Sequence, residues 1–136
     1  HFAQGDCEAC GTAIEIRSVV HVEFHIHKGE AERQGIRTLR FVRDTYFTDP
    51  ELAAPRRCYA TTGICVREDG RNESEDLSLA ARDALLRMID YLEHRGFTRQ
   101  QAYALCSVAV DLRVSQVVDV PNFIVTALLP LDIFVG

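Results

Sequence analysis

A stripe of apolar residues in the second half of the chain limits most severely what it can fold into. Leu77, Ala81, Ala84, Leu85, Met88, Ile89 and Leu92 recur at steps of three and four, which puts them on one face of a helix. A face that broad has to be covered by another layer of structure. Gly96 falls where a left-handed C′ residue would stop this helix. Thr98 with Gln101 makes a capping-box pattern that opens a second helix, with Ala102, Leu105, Cys106 and Ala109 on one face. Beyond it, 112–118 and 123–129 read as strands. Between them lies Asp119-Val120-Pro121-Asn122, a turn whose proline cannot donate to a ladder.

The first half reads as β-structure. Val20, Val22, Phe24 and Ile26 alternate with His21, Glu23, His25 and His27, the period of a half-buried strand. Lys28-Gly29-Glu30 reads as a turn and 30–34 as polar loop, while 36–47 holds a second strand candidate around Leu39, Phe41 and Val42. The run 58–66 is rich in β-branched and aromatic residues, as a third strand would be. The charged, Gly- and Asn-containing 67–76 reads as a linker. Strands and helices thus segregate along the chain, which predicts an α+β fold: a β-rich N-terminal half of antiparallel strands, then two helices and two further strands. The expected division is a β-rich segment at 1–70, completing a β domain with a part N-terminal to it, and an α+β segment at 71–136.

Charge and composition narrow the partners. The 136 residues carry a net charge of −5, and the 14 arginines and single lysine are scattered. Nucleic acid is not an expected partner, because phosphate binding calls for a clustered basic footprint. No apolar run has the roughly 20 residues of a membrane helix, so no membrane partner is expected either. Five cysteines without disulfide-like spacing fit a reducing cytosol, so a cytoplasmic location is expected.

Chemistry-bearing residues concentrate in the opening stretch. Residues 1–16 hold His1, Asp6, Glu8, Glu15, Cys7 and Cys10, with glycines at 5 and 11 that allow a sharp turn or a close ligand approach. His1 with Asp6 or Glu8 has the residue types of a metal site or a proton-transfer site; the alternative is plain turn chemistry around Gly5-Asp6. Cys7 and Cys10 form a lone C-x-x-C. Strand-like residues follow it rather than the helix N-terminus a redox pair prefers, so ordinary thiols are the expectation and a cysteine nucleophile a competing one. The His21, Glu23, His25, His27 face would need ligands from another element to hold a metal, since same-face neighbours on a strand sit roughly 6.5–7 Å apart. No G-x-S-x-G elbow and no phosphate-binding glycine loop occurs.

As a string of letters, four blocks together resemble the acetamidase/formamidase family. They are His1-Phe2-Ala3-Gln4-Gly5-Asp6 through Glu15; Tyr59-Ala60-Thr61-Thr62-Gly63; Leu79-Ala80-Ala81-Arg82 through Leu92; and Ala102-Tyr103 through Ser107-Val108-Ala109-Val110-Asp111-Leu112-Arg113-Val114-Ser115-Gln116-Val117-Val118-Asp119-Val120-Pro121-Asn122. Their order and spacing fit as well. The resemblance implies hydrolysis of the C–N bond of a small carboxamide, formamide- or acetamide-like, to ammonia and a carboxylate, with cyclic amides such as a γ-lactam as an alternative substrate. A non-catalytic domain that binds a metal or small molecule is the competing reading. It also implies a cytoplasmic homo-oligomer assisted by a divalent metal, zinc ahead of calcium.

Carried over residue by residue, the resemblance makes Glu8 and Asp6 the catalytic candidates and His1 and Asp6 the metal ligands. Cys7, Asp119 and Asn122 become possible site support, the last two equally suited to capping their turn. Cys7 stands where the family usually has glycine, so rearranged turn geometry is expected there. The Gly-Asp that precedes the histidine in family members, and a Gly-Asn-x-Asp motif expected far upstream, would come from an N-terminal portion of the same polypeptide, which is the expected partner along with the small amide.

Overall fold

The computed structural model describes residues 7–11, 15, 17–40, 42, 57–119 and 122–135. The chain divides into two units, one made of 1–14 with 54–136 and the other of 15–53.

In the larger unit, the strand expected at 58–66, the two helices and the two closing strands all form, with strand bounds shifted by one or two residues. The strands are β1 (Cys58–Ile64), β2 (Asp111–Gln116) and β3 (Ile124–Pro130), and the helices are α2 (Leu77–His94) and α3 (Arg99–Ala109). The sheet order is β1-β3-β2, with Cys58 opposite Pro130, Asp111 opposite Leu128, and an irregularity between Val114 and Gln116. The sheet therefore joins strands from both sides of residue 70.

Helix α2 lies on β1 and β3, and alternate residues of β1 meet it turn by turn. Tyr59 stacks on Tyr91 with ring centroids 3.7 Å apart. Thr61 Oγ1 donates to the Ala84 carbonyl at 2.8 Å. Gly63 lies directly beneath Ala80 and Ala84, and Cys65 Sγ donates to the Asp76 carbonyl at 3.2 Å. Strand and helix thus run in opposite directions along one seam. A Cβ on Gly63 would fall 2.1 Å from the Ala80 oxygen and 2.2 Å from the Ala84 nitrogen, so only glycine fits.

Beneath this seam Met88, Leu92, Leu129, Val110 and Cys106 are fully buried, each large aliphatic contributing roughly 1.5–3 kcal/mol. The apolar stripe of α2 is rotated slightly from the sequence reading: Ala80, rather than Leu77, is buried at its first turn.

The ends of these helices are marked by local signals, of which the stop at Gly96 and the box at Thr98 were expected and the cap at Asp76, in the stretch read as linker, was not. Asp76 caps α2, accepting from Leu79 N at 2.9 Å. Gly96 adopts φ 95°, with Gly96 N bonded to the Glu93 carbonyl and Phe97 N to that of Leu92, the Schellman pattern. Thr98 and Gln101 form the reciprocal capping box of α3.

The smaller unit departs from the sequence reading. Residues 17–27 form no strand among the described residues, and Val20, Val22, Phe24 and Ile26 are 74%, 62%, 87% and 84% exposed. Alternation supplies a face, but a strand exists only when its N–H and C=O groups meet a neighbour. Residues 30–34, read as polar loop, form a short helix, α1 (Glu30–Gln34). Good helix formers there are joined by a Gln34–Glu30 side-chain bond of 2.6 Å and bracketed by left-handed Gly29 and Gly35. Leu39 and Val42 lie in no strand; Phe41 and 43–47 of that candidate lie outside the described residues.

Replacing Gly63 with alanine forces two backbones apart. We expect Gly63→Ala to lower unfolding free energy by about 3 kcal/mol or more, read as a drop in the urea midpoint, while Gly70→Ala, which meets no neighbour but must hold a left-handed φ of 83°, costs about 1–2 kcal/mol.

Candidate functional site

The loop 7–11 is fastened to the last turns of α3. Tyr103, Cys106 and Ser107 follow one another at three- and four-residue spacing, which brings them to one side of that helix. Ser107 is fully buried. Its Oγ accepts from the backbone N–H of Ala9 at 2.8 Å and of Cys10 at 3.1 Å, and donates to Glu8 Oε1 at 3.2 Å. The same carboxylate oxygen accepts from Gly11 N at 2.8 Å. One turn earlier, the Tyr103 hydroxyl donates to the Ala9 carbonyl. Glu8 sits at φ 35°, in the left-handed region, and Gly11 at φ 69°. For a non-glycine residue that conformation costs roughly 1–3 kcal/mol and persists only where surrounding bonds over-determine it. Five such bonds hold Glu8 and the residues that follow it.

Two thiols in this neighbourhood, Cys7 and Cys106, are held in the protonated form. Cys7 packs against the hydrophobic core, and burial, reinforced by Glu8, Cys10 and Asp111, pushes its thiol up to about 11. Cys106 is pushed up to about 12, by burial first and by Cys7 second. Both therefore stay protonated at neutral pH, against the reading of Cys7 as a nucleophile, which needs a thiolate.

Of the residues singled out in the sequence, Glu8 and Cys7 come together on this loop. His1 and Asp6 lie outside the described residues. Asp119 and Asn122 serve the turn after β2: Asp119 N and Val118 N both donate to Gln116 Oε1 at 2.9 Å, and Asn122 N donates to the Asp119 carbonyl at 2.7 Å. Asn122 Oδ1 accepts from Asn72 at 3.0 Å. That turn is at the opposite end of β2 from Ser107, so these two residues are not brought beside Glu8. Two histidines of 21–27 form exposed local pairs, His25 with Glu23 at 3.0 Å and His27 with Glu30 at 3.2 Å. Among the described residues no three His, Cys, Asp or Glu side chains converge to hold a metal ion. A metal held by His1 and Asp6 would rest on residues beyond those described.

Sequence reasoning missed Ser107 as a partner of Glu8 and Tyr103 as a partner of the adjoining Ala9 carbonyl. The available signal was a hydroxyl on the otherwise apolar face of α3, next to Cys106, where a buried polar group must find a bond.

The chain matches the profile of the Acetamidase/Formamidase family over residues 1–135. It is 32% identical to the formamidase of Methylophilus methylotrophus, covering 98% of this chain and 32% of that protein. It is 34% identical to the acetamidase of Mycolicibacterium smegmatis over 77% of this chain and 25% of that one. Its structure resembles that of a gamma lactamase from Delftia acidovorans, with a TM-score of 0.59 and 38% identity over 64% of this chain and 22% of the other. The chain thus spans about a third or less of the length of these proteins.

The raised Cys7 thiol has a direct readout. Iodoacetamide should modify Cys7 roughly a hundredfold more slowly at pH 7.5 than a thiol of the ordinary value of 9.0, with the rate climbing log-linearly until about pH 11. Peptide mapping by mass spectrometry along a pH series checks this.

Proposed function

The chain belongs to the acetamidase/formamidase family, and on that premise we propose that the intact protein hydrolyses the C–N bond of a small carboxamide, formamide- or acetamide-like, releasing ammonia and a carboxylate. The observation that carries this reading is the family match along the whole chain. Glu8 supplies the proton chemistry. It takes a proton from the attacking water as the C–O bond forms at the carbonyl carbon. It returns that proton to the nitrogen as the tetrahedral intermediate collapses, the C–N bond breaks and ammonia departs. Asp6 is the second carboxylate in reach along the sequence and shares this candidacy.

A γ-lactam is the second reading, favoured by the structural likeness to a gamma lactamase. The same steps would then open the ring and leave the amine on the product. A divalent ion, zinc ahead of calcium, with His1 and Asp6 as its ligand candidates in this chain, belongs to the proposal, as do the cytoplasmic location and the homo-oligomeric state. No helix among the described residues is long and apolar enough to cross a membrane.

The decisive assay offers formamide, acetamide and a γ-lactam to the intact protein and follows ammonia, or the new primary amine. Glu8→Gln is expected to lower kcat about 10²–10⁴-fold. A full rate in that variant would remove Glu8 from the chemistry, and no turnover of any of the three by the unmodified protein would overturn the reading. Dialysis against a chelator should abolish turnover and added zinc restore it, with elemental analysis confirming the loss and return of the ion.

A further inference from the structure

We infer that Ser107 is the positioning residue for Glu8: it sets the direction of the carboxylate by filling its whole hydrogen-bonding capacity with the loop that carries it, Tyr103 acting as a second anchor on the same helix. This rests on the reading of Glu8 as the proton carrier.

A hydroxyl has one hydrogen to donate and two lone pairs with which to accept. Ser107 commits all three to the loop: the lone pairs to the N–H groups of Ala9 and Cys10, the hydrogen to Glu8 Oε1. With full burial there is no water to replace any of them. Ser107 is also badly placed to act as a nucleophile, because both lone pairs already accept from the loop, the side chain is fully buried and attack would release the loop. The carboxylate is held on one oxygen by Ser107 Oγ and Gly11 N together, which fixes where that oxygen sits. Tyr103 adds a further hold by binding the Ala9 carbonyl, so the Ala9–Cys10 peptide is gripped at its acceptor by a phenol while Ser107 holds the N–H donors on either side of that carbonyl. Loop and helix are thus joined across nearly a hundred residues of sequence, and a change on α3 reaches the reacting group without touching substrate.

The test is carried out on the intact protein with Ser107→Ala, Ser107→Thr and Tyr103→Phe. Hydrogen exchange reads the loop directly. The Ala9 and Cys10 amides should be protected in the unmodified protein, exchange at least tenfold faster in Ser107→Ala, and recover much of their protection in Ser107→Thr, which keeps the hydroxyl. Kinetically, Ser107→Ala should lower kcat at least tenfold with KM within about twofold. If that variant fails to fold, Tyr103→Phe carries the test, since its ring is 40% exposed and only the hydroxyl is lost; a severalfold fall in kcat at unchanged KM is expected. Unchanged amide protection in Ser107→Ala overturns the inference, as does lost protection with undiminished kcat. Absence of turnover in the unmodified protein would strike at the amidase reading alone, and the exchange data would still decide whether Ser107 holds the loop.

Discussion

Everything in the larger unit depends on how closely α2 approaches β1. At Gly63 two backbones touch with no side chain between them, which brings the helix low enough for Thr61 to reach the Ala84 carbonyl and for the Tyr59 and Tyr91 rings to stack. Small residues on the helix side, Ala80 and Ala84, complete the fit. Interiors are packed at close to crystal density, so a helix set this near the sheet also dictates which volumes fit beside it. Met88, Leu92 and Leu129 occupy that space with no exposure at all.

The closeness of that seam is transmitted to α3 through a short, stiff corner. The left-handed Gly96 ends α2, and Thr98 begins α3 two residues later with its capping box. Nothing in the corner is long enough to let the second helix swing. Arg99 adds ties back to Asp90 at 3.0 Å and Glu93 at 2.6 Å, although exposed pairs of this kind contribute little by themselves. The face of α3 that bears Tyr103, Cys106 and Ser107 is therefore presented at a fixed height, and loop 7–11 takes its shape from it. Glu8 tolerates a left-handed backbone because that face grips the residues around it.

Local signals were legible where their physics is local. The stripe of α2, the stop at Gly96, the Thr98–Gln101 box and the β-branched run at 58–64 each act within a few residues, and each stands in the structure. The segment 17–27 shows the limit: alternation in Val20, Val22, Phe24 and Ile26 specifies which way side chains would face, yet says nothing about whether a partner strand lies alongside. At 30–34, polarity suggested a loop, but Glu, Ala, Arg and Gln are also good helix formers, and flanking glycines made one turn practicable. In the candidate site, Glu8 was visible because acids in a glycine-rich stretch advertise chemistry. Ser107 was not, because its value comes from a contact with residues some ninety-eight positions away, and no window along the chain contains both.

That separation imposes an order of assembly. The α2–α3 pair and the β2–β3 pair are each neighbours in sequence, so their contacts close short loops, whereas the grip of Ser107 on residues 8–10 closes one of about a hundred residues. Loop-closure entropy rises with the logarithm of length, and distant pairings slow folding because that entropy is lost before the contact compensates for it. The carboxylate of Glu8 should then be among the last groups to acquire its direction as the chain folds and among the first to lose it on partial opening. A population whose helices and sheet are intact by circular dichroism can still be one in which the loop has let go of α3, so spectroscopic foldedness and a correctly set Glu8 are separate quantities in this protein.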